Sequence, residues 1–323
     1  MADISIQLAN QNELSRWDEF VMASVNGSIF HKRGFLEYHQ EKFKQTERFL
    51  SVRKGQELIG LLPLSIDKDS GLAKSPYGAS YGGFVFEKQP SYSTSKSIID
   101  ALLKYFKEEH VREFIITPSL PLCSYPFISD SFSFALLESG FVSLNRDVCS
   151  VVHLPRDVSI DSIVTSNARN MVRKAEKAGL IICHDVSLNI YWPVMEETFS
   201  AHGAKPTHSL ENLDFLIRAY PQKIRIHACL HGDVPVAGLC EFEINKTLNS
   251  SFYFCQVPKF DHMQGLSLLI FDALKRSAAQ GYEYYDFGTS SVGMQARPNI
   301  FRFKESFGAR GVFRETFKWS SRT

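Results

Sequence analysis

Two blocks near the end of the chain, Tyr285-Asp286-Phe287-Gly288-Thr289-Ser290 and Phe301-Arg302-Phe303-Lys304-Glu305-Ser306-Phe307-Gly308-Ala309, decide how the rest of the sequence is read. The first closes an apolar run, Tyr282–Phe287, with the length and aromatic content of a strand. The second reads as a short helix, Asn299–Phe307, and a last strand, Val312–Phe317, follows it. An aspartate at the end of a strand sits where open α/β sheets place their ligands. Aspartate also holds turns together by accepting nearby backbone N–H groups. Both roles stay open for Asp286.

Working back from these blocks, Leu266–Ala279 reads as a helix stopped by Gly281. Three strands come before it, Ile224–His231, Val234–Ile244 and Ser250–Val257, the first two joined by Gly232-Asp233, a hairpin signal. Earlier still are helices at Leu188–Ala201 and Leu210–Tyr220, a strand at Leu180–Asp185 and one long helix over Ile160–Ala178, closed by Gly179. On that helix Arg169, Arg173 and Lys177 recur every four residues and share a face, with Lys174 beside them. Stacked cations repel unless an anion lies near, so the face suits a phosphate-bearing ligand; a solvated face with Glu176 as counter-charge is the plainer reading.

The first half follows a similar order. A strand at Ile4–Ala9 leads to a helix from Asn12 to about Ser24 and a second helical stretch, Ser28–Phe43. Strands at Arg48–Arg53 and Leu58–Ile66 are followed by a glycine and aromatic loop, Ser75–Gly83, and a strand at Phe84–Phe86. A helix over Ser93–His110 precedes a strand at Glu113–Thr117, a loop with Pro118, Pro121 and Pro126, a short helix at Asp130–Ser139 and a strand through Val142–His153. Alternating strands and helices with hairpins among them imply mixed sheets covered by helices. The expectation is an α/β (α+β) protein of two domains, 1–153 and 154–323, whose likeness to each other is one of order only.

Length and composition agree. At 323 residues the chain exceeds the roughly 100–200 residues of a single domain. Lys plus Arg number 36 against 35 Asp plus Glu, a net charge of +1 that makes no general case for DNA or RNA. None of the six cysteines forms a CxxC pair or takes zinc-ligand spacing with histidine, so no metal site is expected. Cys183, Cys229, Cys240 and Cys255 lie in apolar strand-like runs, as reduced core residues of a cytoplasmic protein. No window approaches the ~18 apolar residues of a membrane span, and no signal peptide is visible. His202 and His208 read as incidental loop histidines.

Taken together, the two opening blocks resemble the end of the GNAT-like domain of Fem-type aminoacyltransferases and related acyltransferases. A strand ending in Asp-Phe-Gly and a small residue is followed there by a short helix carrying Phe-Lys and ending in Phe-Gly-Ala. Ser166–Leu180, a basic helix with a glycine stop, resembles the opening of the family's second domain, and Tyr81-Gly82-Gly83 is a third, weaker match. Protein kinases also carry Asp-Phe-Gly, but no glycine-rich phosphate loop, VAIK-like strand or HRD loop accompanies it here, which excludes that reading.

The resemblance implies two tandem GNAT-like domains with a cleft between them and an N-acyl or aminoacyl transfer to an amine, in one ternary complex, as in cell-envelope or polysaccharide biosynthesis. It assigns Lys304 to steadying the tetrahedral oxyanion, with Phe303 beside it; Asp286, from its place at a strand end, would orient or deprotonate the amine. Arg169 and Arg173 would bind an anionic part of a substrate. Tyr253 and Gln256 on the third hairpin strand and Tyr81 in the early loop would line the acceptor's site. GNAT enzymes hold coenzyme A pyrophosphate at a helix N-terminus. The matching place is His262-Met263-Gln264-Gly265-Leu266-Ser267, which keeps the glycine and departs at the first and last positions. Gln264, Gly265 and Ser267 are the cofactor-binding candidates, with acyl-CoA or aminoacyl-tRNA as donor and no tightly bound cofactor. The acceptor would be a small-molecule amine, nucleotide-linked in some members, and tRNA the one nucleic-acid partner. The alternative is a binding or scaffold protein that keeps the fold without the activity.

Overall fold

The structure, a computed structural model, describes residues 3–124 and 129–321; Pro126 of the expected proline loop lies outside them. Strand β1 (Ile4–Leu8) is followed by α1 (Gln11–Ser15) and α2 (Trp17–Ala23). Asn10, not Asn12, starts the first helix: its side chain accepts from the Glu13 N–H while Glu13 accepts from the Asn10 N–H. The helix expected over Asn12–Ser24 breaks at Arg16, which caps both pieces.

The helical stretch expected over Ser28–Phe43 is likewise broken. It consists of a 3₁₀ turn at Ile29–His31, the four-residue α3 (Arg33–Leu36) and a second 3₁₀ stretch, Glu37–Lys42. Lys32 is extended, and the Arg33 N–H is diverted to Asp18 Oδ1 at 2.8 Å. Next come β2 (Glu47–Lys54), β3 (Glu57–Asp67), β4 (Leu72–Ser75), β5 (Val85–Phe86), α4 (Tyr92–Glu108), β6 (Glu113–Ile116), α5 (Ser131–Glu138) and β7 (Val142–His153).

The second half opens with α6 (Ile160–Ile163) and α7 (Ser166–Lys177), where one long helix was expected. Thr165 divides them: its hydroxyl accepts the Ala168 N–H as a new N-cap, and its own N–H donates to Ser306 O. Then follow β8 (Ile181–Cys183), α8 (Leu188–Ala201), α9 (Leu210–Ala219), β9 (Ile224–His231), β10 (Val234–Glu243), β11 (Leu248–Gln256), α10 (Gly265–Ala279) and β12 (Tyr284–Thr289). A small hairpin, β13 (Ser291–Val292) and β14 (Gln295–Ala296), occupies what reads as loop, before α11 (Pro298–Ser306) and β15 (Arg310–Ser320).

The chain divides into two units, Met1–Asp147 with Phe313–Thr323, and Val148–Val312. The expected boundary after residue 153 thus moves a few residues, and the last strand leaves the second domain for the first unit. In the first unit the strands run β1-β2-β3-β4-β6-β15, with β5 on β3. In the second they run β7-β12-β11-β10-β9-β8. Both runs of strands share a plan: an antiparallel meander (β2-β3-β4; β9-β10-β11), a helix crossing over (α4; α10), a parallel strand (β6; β12) and an antiparallel strand closing the order. The closing strand comes in each case from the other half of the sequence, β15 beside β6 and β7 beside β12.

Each unit has its own core. In the first, Ile98, Ile99, Leu102 and Phe106 of α4 pack against Leu50, Leu62, Leu64 and Phe114. In the second, α7 (Ala168, Val172, Ala175) and α10 (Leu269, Ile270, Ala273) pack on Val236, Ala237 and Leu239. Cys229, Cys240 and Cys255 are buried there and Cys183 half-buried, all unpaired. Among the described residues no helix is long and apolar enough to cross a membrane, and no His/Cys/Asp/Glu group could hold a metal.

Gly308 ends α11 at φ +89°, and a Cβ there would stand 2.3 Å from Ile163 Cγ2. Gly308→Ala is expected to destabilise the second unit by at least about 2 kcal/mol, measured by denaturant unfolding, because backbone strain and overlap add.

Candidate active site in the second unit

The central feature is a parting of two strands. β11 and β12 are parallel neighbours over three residue pairs only, Leu248↔Tyr284, Asn249↔Tyr285 and Ser250↔Asp286. β11 then continues to Gln256 and β12 to Thr289 without further pairing between them. On its other side β12 also loses register with β7 between Asp286 and Thr289. Gly288, at φ +69°, makes this turn of the backbone, and Asp286 Oδ1 accepts the Gly288 N–H at 2.7 Å. Ser250 Oγ donates to Asp286 O at 2.9 Å, at the point where the strands separate.

Parting strands leave carbonyls without ladder partners. Lys304 supplies the donors. It projects from α11, is 2% exposed, and its Nζ donates to the carbonyls of Gly288 (2.9 Å) and Thr289 (2.8 Å). The Phe254 ring of β11 lies 5.7 Å from the ammonium. A cation thus stands in the gap between the two strands. Burial lowers its pKa to about 8, against the opposing pull of the Asp286 carboxylate. Two of the three ammonium donors serve the backbone, which leaves one to aim at a third acceptor.

The remaining sequence candidates fall into five places. Phe303 is half-buried beside Phe307 and Phe254, with ring centroids 5.3 and 6.4 Å away, and so packs next to Lys304. On α7, Arg169 donates to the carbonyls of Asp161 (2.6 Å) and Val164 (2.7 Å), finishing the short helix α6. Arg173, one turn on, is exposed and reaches Asn170 Oδ1 at 3.2 Å. Tyr253 alternates with Phe254 on β11 and points to the opposite face, where its hydroxyl lies 2.8 Å from His208 Nδ1 and accepts the His208 N–H. His208 is therefore a buried partner of Tyr253, not the incidental loop residue expected. Tyr81 lies inside the first unit, edge-on to Phe30.

The fifth place is the start of α10. Gln264 caps it in the left-handed region at φ +63°, and Ser267 Oγ donates back to Gln264 Oε1 at 3.2 Å. A Cβ on Gly265 would come within 3.0 Å of Val236, so the glycine permits the helix to sit on the sheet. Gln256 ties the end of β11 to this turn: its amide donates to Val236 O, and its Oε1 accepts the Leu266 N–H at 2.8 Å. One of the backbone donors that a pyrophosphate would use is thus engaged by the chain itself.

No sequence signal singled out Glu241, which closes the joined end of the two strands. Its carboxylate is buried. Oε1 accepts from Asn249 Nδ2 of β11 (3.0 Å) and from the Tyr285 hydroxyl of β12 (3.0 Å). Oε2 accepts from Arg276 of α10 (2.6 Å) and lies 2.9 Å from His227 Nε2 of β9. Burial pushes the Glu241 carboxyl up, but His227 and Arg276 outweigh it and hold the pKa below the usual value. A charged residue at a core-facing position of Val234–Glu243, and Asp272 four residues before Arg276 on one helix, were the available clues.

No protein-family model matches the sequence, and no curated protein sequence matches it. Solved structures do. FemX superposes with a TM-score of 0.71 at 13% identity, over 98% of this chain and 97% of that one. The chain has the Fem-like GNAT acyltransferase fold. L-PGS from Bacillus licheniformis gives a TM-score of 0.57 at 14% identity, over 98% and 94% of the two chains. A tandem GNAT protein from the clavulanic acid biosynthesis pathway gives 0.56 at 11%, over 99% of each. At such identities the likeness is one of fold.

Glu241→Ala strands Arg276 and His227 and is expected to cost about 3–5 kcal/mol by denaturant unfolding. Because the folded pKa of Glu241 is depressed, its stabilisation is complete at neutral pH and lost as pH falls through that value; in Glu241→Gln the acid decline is expected to flatten. Lys304 also has a folded pKa below its unfolded value, so its slope has the same sign at higher pH. Between pH about 8 and 10.5 the unfolded chain keeps a proton that folded Lys304 has released, so stability rises with pH across that window. Lys304→Met is expected to abolish that rise.

Proposed function

We propose that the second unit transfers an acyl or aminoacyl group from an activated thioester or ester to an amine. The observation carrying this reading is the buried Lys304 ammonium held in the gap between β11 and β12, beside Asp286. The amine nitrogen attacks the donor carbonyl carbon, and the carbonyl oxygen takes on negative charge. Lys304 steadies that charge with its remaining donor, in a site where burial strengthens the interaction. Asp286 orients the amine and accepts its proton. When the tetrahedral intermediate collapses, the bond to the thiol or hydroxyl leaving group breaks, and the proton passes to that group. Both substrates are bound together, and no acyl-enzyme forms.

Arg169 and Arg173 on α7 are the candidates to hold an anionic part of a substrate, Arg173 being the more exposed of the two. Acyl-CoA and aminoacyl-tRNA both remain as donors in this reading. The engagement of the Leu266 N–H by Gln256 favours a donor that does not need the start of α10. The acceptor class we infer is the amine of a small precursor, as in cell-envelope or polysaccharide assembly. The same engaged loop is what favours the second reading, a binding protein that retains the fold without the activity.

The test is transfer to an amine from each donor class. Lys304→Ala is expected to lower kcat by ~10²–10³. Because the protonated lysine is the active form, the rate is expected to fall as pH rises through about 8. A rate that climbs through that range would make Lys304 a base. No transfer and no thermal stabilisation with acyl-CoA or charged tRNA would leave the binding-protein reading.

A further inference from the structure

Between β12 and α11 the chain projects a small tip that the transfer chemistry does not use. Every residue from 292 to 300 is exposed, and three of them are large and apolar: Val292 (59% exposed), Met294 (60%) and Ile300 (41%). The tip is nevertheless built firmly. Ser291↔Ala296 and Val292↔Gln295 pair as a hairpin. At its base the Ser290 N–H donates to Val148 O (2.7 Å), the Val148 N–H to Ser291 Oγ (2.8 Å) and the Arg297 N–H to Ser290 O (2.9 Å).

The turn residues are Gly293 at φ +56° and Met294 at φ +61°. Two consecutive left-handed residues make the hairpin turn in which the second position favours glycine. Methionine there carries a backbone cost of about 1 kcal/mol or more, and most of its side chain faces outward.

The charge around the tip indicates what it meets. The charged residues of the exposed tip, 292–300, and the turn that follows it are Arg297 and Arg302, with the acidic Glu305 coming only after the buried Lys304. Protruding aliphatic side chains with arginines behind them match the boundary of an anionic bilayer, where apolar groups enter the acyl layer and cations stay at the headgroups. A nucleic acid would call for exposed rings to stack on bases, and Phe301 and Phe303 are both partly buried instead. Ile300 precedes Lys304 by four residues and so lies on the same face of α11, one turn nearer the tip.

We propose that the β13–β14 hairpin and the first turn of α11 dock the second unit on an anionic lipid surface, with Val292, Met294 and Ile300 inserted and Arg297 and Arg302 at the headgroups. The docking does not depend on the transfer reaction and can be tested without it. Full-length protein is floated with phosphatidylcholine vesicles and with vesicles containing about one-third phosphatidylglycerol. It is expected to float with the anionic vesicles and to be released by high salt. The Val292→Glu/Met294→Glu double variant is expected to lose roughly tenfold or more in partitioning. Met294→Gly relieves the turn, so it should melt no lower than the parent while binding vesicles several-fold more weakly. Protein that stays unbound with both vesicle types, or variants that bind like the parent, would overturn the proposal. So would arginine-dependent binding to transfer RNA without binding to vesicles.

Discussion

The parting of β11 from β12 after three residue pairs is the constraint on which the second unit is organised. A strand that leaves its neighbour inside a protein exposes carbonyls that must find donors elsewhere, since a buried unpaired group costs about 1–3 kcal/mol. Here the donor is the ammonium of Lys304, and the cation is thereby fixed in the opening that the parting creates. Asp286 turns the backbone at the same point and sets its negative charge beside the lysine. Local backbone accounting and candidate chemistry therefore involve the same residues.

The first unit shows the alternative. There β4 and β6 pair in parallel up to Ser75↔Ile116, and the next carbonyl, that of Thr117, is met by the Gly82 N–H. The Tyr77–Gly83 loop, with Ser75 Oγ accepting the Gly83 N–H, fills the corresponding place with backbone. A Cβ on Gly82 would stand 3.1 Å from Pro76, which is why that loop needs a glycine. The same plan is thus closed by neutral amides in one unit and by a buried cation in the other. Glu241 gives the second unit its fixed end, gathering β9, β10, β11, β12 and α10 on one carboxylate, so that the strands can separate beyond it without the sheet loosening.

Much of this was legible in the sequence. The strand carrying Asp286 and the helix bearing Lys304 lie close to where the periodicity puts them, because each carries its own signals: an aromatic run before a glycine, and Phe303 and Phe307 four apart. The meander of three strands and the helices α8, α9 and α10 follow from the same patterns. Side-chain capping escaped the reading. Thr165 cuts a helix that apolar spacing alone would continue, and Asp18 takes an N–H that helix continuation through Arg33 would need. Tertiary pairing escaped it too. The exchange of closing strands between β7 and β15 cannot be read from local pattern, and neither can the face on which Tyr253 falls. Arg169 was singled out by its spacing on the basic helix face and Gln256 by the resemblance, and in the structure both hold backbone groups of the chain itself. Glu241 was passed over because a single acid in an apolar strand does not reveal that four partners converge on it.

The most direct test of this account is the titration of the Lys304 side chain, followed by NMR on lysine labelled at the ε-carbon and ζ-nitrogen. A buried ammonium held by two carbonyls in the gap between β11 and β12 is expected to titrate near pH 8. A Lys304 that titrates at the ordinary value of 10.5 would contradict it.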